Sequence, residues 1–529
     1  MESNSMDVDW LVIGSGFGGS VAALRLAEKG YRVAVVERGR RYVDGDLPTS
    51  SWQLSRFVWA PVLGLRGIMR NTVFPHVFSS SQTGVGGGSL IYGGVLFRAQ
   101  PGFFDDPQWR ELGDWEERLA PEYAKAERML GVQPTPFDST SLHLTRKMAK
   151  HFDVEETFGR APTGVYFGTP GQTVEDPYFD GEGPPRTGCT RCGSCLVGCR
   201  VGAANVLTKN YLWFAEKLGV EVIAEREVTD VVPLGAGDGS AGYLVTVRRP
   251  GPWGRSHQRS IRAGGVVFAG GAVGTNELLS ACKLRGSLPR ISGRLGRLAR
   301  TNSETVLSVR TPNDQGAWRD VAASSRVVVE GDTQLEFLTY GRRGDLLSLF
   351  FTILPSGAKA GRPTEWLREV ARHPLSWVTT LWPIGWSRRT MMLLVMQARD
   401  NAITFRGVKR RFGLGYRITT EADVDRPAPS SIDVGNRAIR WLAAETGGIA
   451  QSSIFQVLGD RPMTAHVIGG AVIGADETRG VVDEQLRVFG YQNMIVCDAA
   501  ALPANPGVNP ALSIAALAEY AMTQVPANV

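Results

Sequence analysis

Residues 9–20 read DWLVIGSGFGGS, a short apolar run that passes directly into three glycines spaced G-x-G-x-x-G. The apolar run has no polar alternation, which predicts a parallel strand covered on both faces. Gly14 permits the tight turn, Gly16 lets a pyrophosphate approach the backbone, and Gly19 lets helix and strand pack closely. Ser15, Phe17 and Gly18 complete the loop. The helix that follows offers Val21, Leu24, Leu26 and Ala27 to a core, and its first turn offers free N–H groups and a positive dipole end to phosphates. Residues 32–37, RVAVVE, read as the next strand. Its last residue, Glu37, stands where a carboxylate accepts hydrogen bonds from an adenosine ribose, or is a solvated strand end. This βαβ unit predicts dinucleotide binding, and the glycine spacing alone does not separate FAD from NAD.

Further glycine-rich text lies outward from this start. Residues 83–94 read TGVGGGSLIYGG, with Gly86, Gly87, Gly88, Ser89, Gly93 and Gly94 interleaved with apolar residues, so a ligand-contacting loop is expected over a solvated linker. Residues 264–274, GGVVFAGGAVG, run from strand to turn at Gly270, and a helix follows. Residues 220–232 alternate like one strand. Near the end, residues 493–498 form another apolar strand closed by Asp498, and a Pro- and Gly-rich turn leads to Asn509, Pro510 and a helix. Ligands of doubly wound sheets sit at the carboxyl ends of strands, where Asp498 and Pro510 both fall.

The 529 residues carry a formal net charge of +6, 43% hydrophobic and 21% charged residues, and 63 glycines. This is the balance of a globular protein. No dense basic block suggests nucleic acid as a partner; a weak attraction to anionic membrane surfaces stays open. The start, MESNSMDVDW, has neither a basic region nor an apolar export core, so a cytoplasmic protein with reduced cysteines is expected.

Taken together, GSGFGGS…VVERG, GVGGGSLIYGG, VVFAGGAVGTNELL and HVIGGAVIG…VCDAAALPANPGVNP resemble the glucose–methanol–choline flavoprotein family. KGYRVAVVERGRRY, SWQLSRFVWAP, RTGCTRCGSCLVGCRVGAANVLTKNYL and LARTNSE are similar to its cholesterol-oxidase-like branch. The resemblance implies an α/β fold: a Rossmann-like FAD-binding domain on a doubly wound parallel sheet, with an inserted α+β substrate-binding domain on an antiparallel sheet. Residues 1–45, 80–100, 200–310 and 461–529 would form the discontinuous FAD domain. Residues 46–79 would be a lid or connection, 101–199 a helical and Cys-rich insertion, and 311–460 the substrate domain. It further implies that Val228 lies near the adenine, the loop at 86–94 beside the flavin ring, Asp498 on the ribitol side, and the helix at Pro510 aimed at the ring.

The same resemblance matches His466 and Asn509 to the pair that faces the flavin. Alcohol oxidation loses a hydroxyl proton and a hydride, and a flavin takes the hydride. An imidazole is suited to the proton, so His466 is the expected base and Asn509 the group that holds the same oxygen. Glu336, in DTQLEFLTYG, is the nearest counterpart of the Glu with which sterol-oxidising relatives isomerise a double bond; its other reading is an outward-facing strand carboxylate.

Cys189, Cys192, Cys195 and Cys199 are spaced C-x₂-C-x₂-C-x₃-C, the bacterial ferredoxin spacing. Arg200 rather than Pro follows, and no second run exists to share the fourth Cys. An iron–sulfur cluster, a structural metal such as zinc, and packed reduced thiols are the three readings. In the middle of the chain Trp366, Trp377, Trp382 and Trp386 fall at spacings that favour core packing, with Arg368, Arg372, Arg388 and Arg389 nearby; a membrane-facing substrate lip is the alternative. Residues 59–69 could form a second lid element. The expected partners are therefore a bulky apolar alcohol, as substrate, and O2 or another electron acceptor. Competing readings are the same chemistry on a different or specialised-metabolite alcohol, a flavin or iron–sulfur electron-transfer or redox-sensing protein, and a lipid binder with a vestigial flavin.

Overall fold

A computed structural model describes residues 5–251, 257–356, 362–410 and 415–528. Residues 1–4, part of the stretch read above for a leader, lie outside them.

The opening strand, Val8–Ile13, is central to the first sheet. Val33–Val36 and Arg259–Phe268 flank it in parallel, and Glu221–Ile223 adds in parallel beyond Val33–Val36. Arg259–Phe268 is long enough to be paired twice on its far edge. Tyr243–Arg248 runs antiparallel along its first half and Met494–Val496 parallel along its second. Glu227–Pro233 completes an antiparallel hairpin with Tyr243–Arg248, so the parallel core carries a hairpin at one side. Segments hundreds of residues apart thus share one sheet.

The stretch 220–232 is two strands, not the single strand expected. The chain turns at Glu225, which adopts φ 54°. The N–H groups of Glu225 and Arg226 then donate to the carbonyls of Gly39 and Glu37, both at 2.9 Å. The break binds the new strand to the end of Val33–Val36 and starts the hairpin beside the nucleotide loop.

Helix Phe17–Glu28 packs against Ala511–Thr523, which is apolar nearly all round and buried nearly all round. The buried Glu519 in that second helix is satisfied by Arg25 at 2.7 Å and by the Tyr211 hydroxyl at 2.8 Å.

The second sheet is wholly antiparallel. Its order is Phe351–Ile353, Ile449–Ser453, Thr305–Arg310, Thr390–Gln397, Thr333–Leu338, Ser325–Val329 and Gly159–Arg160. It therefore begins a few residues before the expected boundary at 311 and borrows a short strand from the Cys-rich insertion. Strand Thr390–Gln397, TMMLLVMQ, is buried throughout because both faces are covered. Met391, Leu393 and Val395 pack under helices Thr140–His151 and Asp433–Thr446; Met392, Leu394 and Met396 pack on the other face with Phe351 and Trp386. Thr333–Leu338 follows the same alternation. Leu335 and Phe337 join the helix-covered face, which sends Glu336 to the opposite one.

Residues 46–79 form a short helix Leu54–Phe57, a 3₁₀ turn Pro61–Leu63 held in a small hairpin, and the hairpin Met69–Val73 with Phe78–Gln82. The tryptophan-rich stretch is not core. Leu367, Leu375, Val378, Leu381, Trp382 and Ile384 are between 51% and 82% exposed, and of the four tryptophans Trp386 alone is buried. Trp386 stacks on Phe351 and already fills that face of the sheet, so helices Arg362–Arg372 and Pro374–Leu381 lie outside it. No helix among the described residues is long and apolar enough to cross a membrane.

Candidate active site

One cavity of about 1410 Å³ lies between the two sheets. On the side of the first sheet it is lined by Gly14, Ser15, Gly16, Phe17, Gly18, Glu37, Val228, Gly270 and Asp498. On the side of the second sheet stand Val306, Leu338, Phe350, Phe351, Met392 and Leu394. Gly87, Gly88, Gly93, His466, Asn509 and Pro510 also face it.

The first loop fits a pyrophosphate. A Cβ on Gly16 would meet nothing within 4 Å, whereas one on Gly19 would stand 2.0 Å from the Gly14 carbonyl oxygen. Gly16 thus borders open space and Gly19 permits the helix–strand contact. The helix beginning at Phe17 has no side-chain cap and no acidic residue in its first turn. Its orphan N–H groups remain available to an anion.

Glu37 is 6% exposed, so the solvated strand-end reading is set aside. Its Oε2 accepts from the Ser15 backbone at 3.2 Å and hydroxyl at 2.8 Å, and its Oε1 from the Gly39 N–H at 2.8 Å. Ser15 Oγ in turn accepts from Gly86 N–H at 3.1 Å, which joins the two glycine loops. Gly86, Ser89 and Gly94 do not line the cavity; they brace the loop that does. Ser89 Oγ donates to the Gly86 carbonyl at 2.7 Å and accepts from Leu207 N–H at 3.0 Å, while the Gly94 carbonyl accepts from Gly164 N–H at 2.7 Å. Asp498 ties strand to helix: it accepts from Gly271 N–H at 2.7 Å, Thr275 Oγ1 at 2.6 Å and Ala500 N–H at 2.8 Å. Burial raises its carboxyl to about 6. Arg38 also lines the cavity, where burial lowers its guanidinium to about 10. Nothing in the glycine spacing points to it.

At the other side, His466 alone of the six histidines lines the cavity. Its Nδ1 lies 2.8 Å from Glu304 Oε2. A carboxylate only accepts, so this contact sets the tautomer with the proton on Nδ1 and leaves Nε2 as the basic atom. Burial depresses the imidazole pKa, but the Glu304 charge and hydrogen bond outweigh it and the net shift is upward. Glu304 also accepts from Thr464 Oγ1 at 2.7 Å and is 1% exposed. It belongs to a polar run, Arg300 to Glu304, that is buried throughout. The motif LARTNSE contains this run, but its polar composition gives no sign of burial and Glu304 was assigned no role.

Glu336 is fully buried, which overturns the outward-facing reading. With its amide oriented to satisfy its neighbours, Asn509 donates to Glu336 Oε1 at 2.9 Å and Oε2 at 3.2 Å. Gln334 donates to the same carboxylate. Burial pushes the Glu336 carboxyl up to about 7. Glu336 does not line the cavity itself but stands behind Asn509. The fold thus brings two residue pairs together at one wall: His466 with Glu304, and Asn509 with Glu336.

The four cysteines of the run also come together, around a separate cavity of about 10 Å³ that Asp320 shares. Burial raises the thiol of Cys189 to about 12 and that of Cys195 further. Among the described residues no three His, Cys, Asp or Glu side chains form a set that would hold one metal ion. The zinc-type reading, a single ion on these thiols, is therefore not met.

Comparison with known proteins agrees with this geometry. A family described as FAD dependent oxidoreductase matches residues 9–343, and GMC oxidoreductase matches residues 450–518. The chain is 41% identical to a cholesterol oxidase of Mycobacterium tuberculosis over 98% of its length and 91% of the relative's. It is 39% identical to a cholesterol oxidase of Acinetobacter baumannii over 100% and 96%. Among solved structures, pyridoxine 4-oxidase from Mesorbium loti superposes with a TM-score of 0.62 at 15% identity, covering 98% of this chain and 99% of that one. Sequence, cavity and relatives agree that the chain belongs to the GMC family of FAD-dependent oxidoreductases, in its cholesterol-oxidase-like branch, and acts on the CH–OH group of an alcohol.

Proposed function

We propose that the protein oxidises the secondary hydroxyl of a sterol or similarly bulky apolar alcohol to a ketone. The observation that carries this reading is the placement of His466 and Asn509 in one cavity with an apolar wall of Val306, Leu338, Phe350, Phe351, Met392 and Leu394. That wall excludes water and suits a rigid hydrocarbon body, while the two polar side chains suit its hydroxyl.

Bound FAD supplies the hydride acceptor; Gly14 to Gly19, Glu37 and Asp498 would hold it. His466 Nε2 takes the hydroxyl proton, and Glu304 stabilises the imidazolium that forms. Asn509 fixes the substrate oxygen with an amide N–H, while Glu336 fixes the Asn509 amide. This orients the carbinol C–H bond for transfer. Oxygen, or a one-electron acceptor reached through the cysteine run, then takes the electrons from the chain.

A carboxyl held near neutrality can both accept and return a proton. Glu336, directly behind the cavity wall, therefore also suits the isomerisation of a 3-keto-5-ene: once the Asn509 side chain in front of it moves aside, it takes a proton from the carbon beside the carbonyl and returns one to the far alkene carbon.

Substrate of this kind resides in membranes. Val62 borders the cavity and is 76% exposed. Helix Pro374–Leu381, with exposed Leu375 and Val378, packs on the segment that contributes Leu347 and Phe350 to the lining. With exposed Arg368 and Arg372 close in sequence, these residues support collection of substrate from an anionic bilayer surface by a cytoplasmic enzyme. Incubation with a 3-hydroxy-5-ene steroid and mass analysis of the product tests the reading. A 3-ketone is expected; unchanged steroid together with turnover of short polar alcohols would replace it with the specialised-metabolite alternative.

A further inference from the structure

We infer that Cys189, Cys192, Cys195 and Cys199 hold a [4Fe–4S] cluster that carries electrons singly away from the flavin cavity. The spacing alone left the fourth cysteine uncertain, since in two-cluster ferredoxins that residue serves the other cluster. The fold resolves this. Cys199 lines the same small cavity as the other three, while Cys282 and Cys497 are buried in the main core elsewhere.

Two further observations point to a ligand. Backbone N–H groups are aimed at the sulfurs: Arg191 N–H at Cys189 Sγ and Ala204 N–H at Cys199 Sγ, both 3.4 Å. Such bonds stabilise negative sulfur and tune iron–sulfur potentials. Moreover, all four cysteines share the lining of one space. A cubane demands that arrangement, since each thiolate binds a different iron.

The position gives the cluster a task. Leu196, next to Cys195, lines the large cavity together with Tyr92 and Gly93, and a Cβ on Gly93 would stand 3.4 Å from the Leu196 side chain. One layer of residues separates the two cavities. Oxidation of one alcohol releases two electrons as a hydride to the flavin. The cluster takes them one at a time and passes each to an external one-electron acceptor, a small redox carrier protein or, in the assay, ferricenium. Only this electron source rests on the flavin reading; cluster binding stands apart from it.

The test is iron and acid-labile sulfide analysis of the full chain purified without oxygen, and again after reconstitution with ferrous iron and sulfide, beside flavin content. About four iron and four sulfide per chain are expected. A paramagnetic signal should appear on reduction and be lost in Cys195→Ser and in the exposed Cys192→Ser, with flavin unchanged. Anaerobic alcohol should evoke that signal, and ferricenium should abolish it. Flavin-replete protein without stoichiometric iron in both preparations overturns the proposal, as does stoichiometric zinc. A signal that stays silent while alcohol bleaches the flavin overturns the electron path. Iron without flavin would instead count against the flavin reading.

Discussion

The two sides of the large cavity are built from different materials. The first-sheet side is mainly backbone: glycines, one uncapped helix start, and a few side chains such as Ser15, Glu37 and Asp498 that join loops to one another. The second-sheet side is side chain: a buried His–Glu pair and a buried Asn–Glu pair set into an apolar wall. The first side can hold an invariant ligand because its glycines let backbone groups approach that ligand closely. The second must place protons, and for that burial and neighbouring charge set each group separately. The contrast predicts that damage on one side should separate cofactor retention from catalysis on the other.

The largest effect should come from His466→Ala. Turnover should fall by roughly 10²–10⁴-fold with flavin content unchanged, measured by steady-state kinetics and absorbance. If activity survives, the base is elsewhere. Gly16→Val should do the reverse. Its Cβ has space in the protein, so folding should persist while FAD affinity drops by about 100-fold or more, roughly 3 kcal/mol. A loss of folded protein as well would break the separation of roles.

Glu304→Gln sharpens the comparison by acting through His466. Since the Glu304 charge is what raises the imidazole pKa, its removal should move the acidic limb of the kcat profile to lower pH, with turnover reduced about tenfold. In the wild type, activity should fall as pH drops through that raised pKa, because the base must be neutral. Glu336→Gln should leave oxidation within about threefold of normal yet block isomerisation. In the wild type, isomerisation should decline below about pH 7 as the carboxylate protonates. The smallest effect belongs to Leu375→Asp: unchanged kinetics on detergent-dispersed steroid, but weaker turnover from anionic vesicles.

The legibility of the two sides differs for the same reason. Glycine spacing between an apolar strand and a helix is local, so Gly14 to Gly19 and Glu37 could be read directly. The junction of strand Met494–Val496 with Arg259–Phe268 was foreshadowed by strand-then-turn text at both places. Glu304 was not legible, because its contact with His466 spans 162 residues and its polar run gives no sign of being buried. Glu336 was ambiguous until the sheet showed that both faces of its strand are covered. The tryptophan stretch was misread because helical spacing reports an apolar face, not what covers it.

Anaerobic mixing of the FAD-loaded protein with a 3-hydroxy steroid, followed through the visible flavin absorbance, addresses the central claim directly. Rapid bleaching in the wild type and its loss in His466→Ala is the predicted result. A flavin that stays oxidised with every steroid and long-chain alcohol, or that bleaches equally fast in the variant, would contradict it.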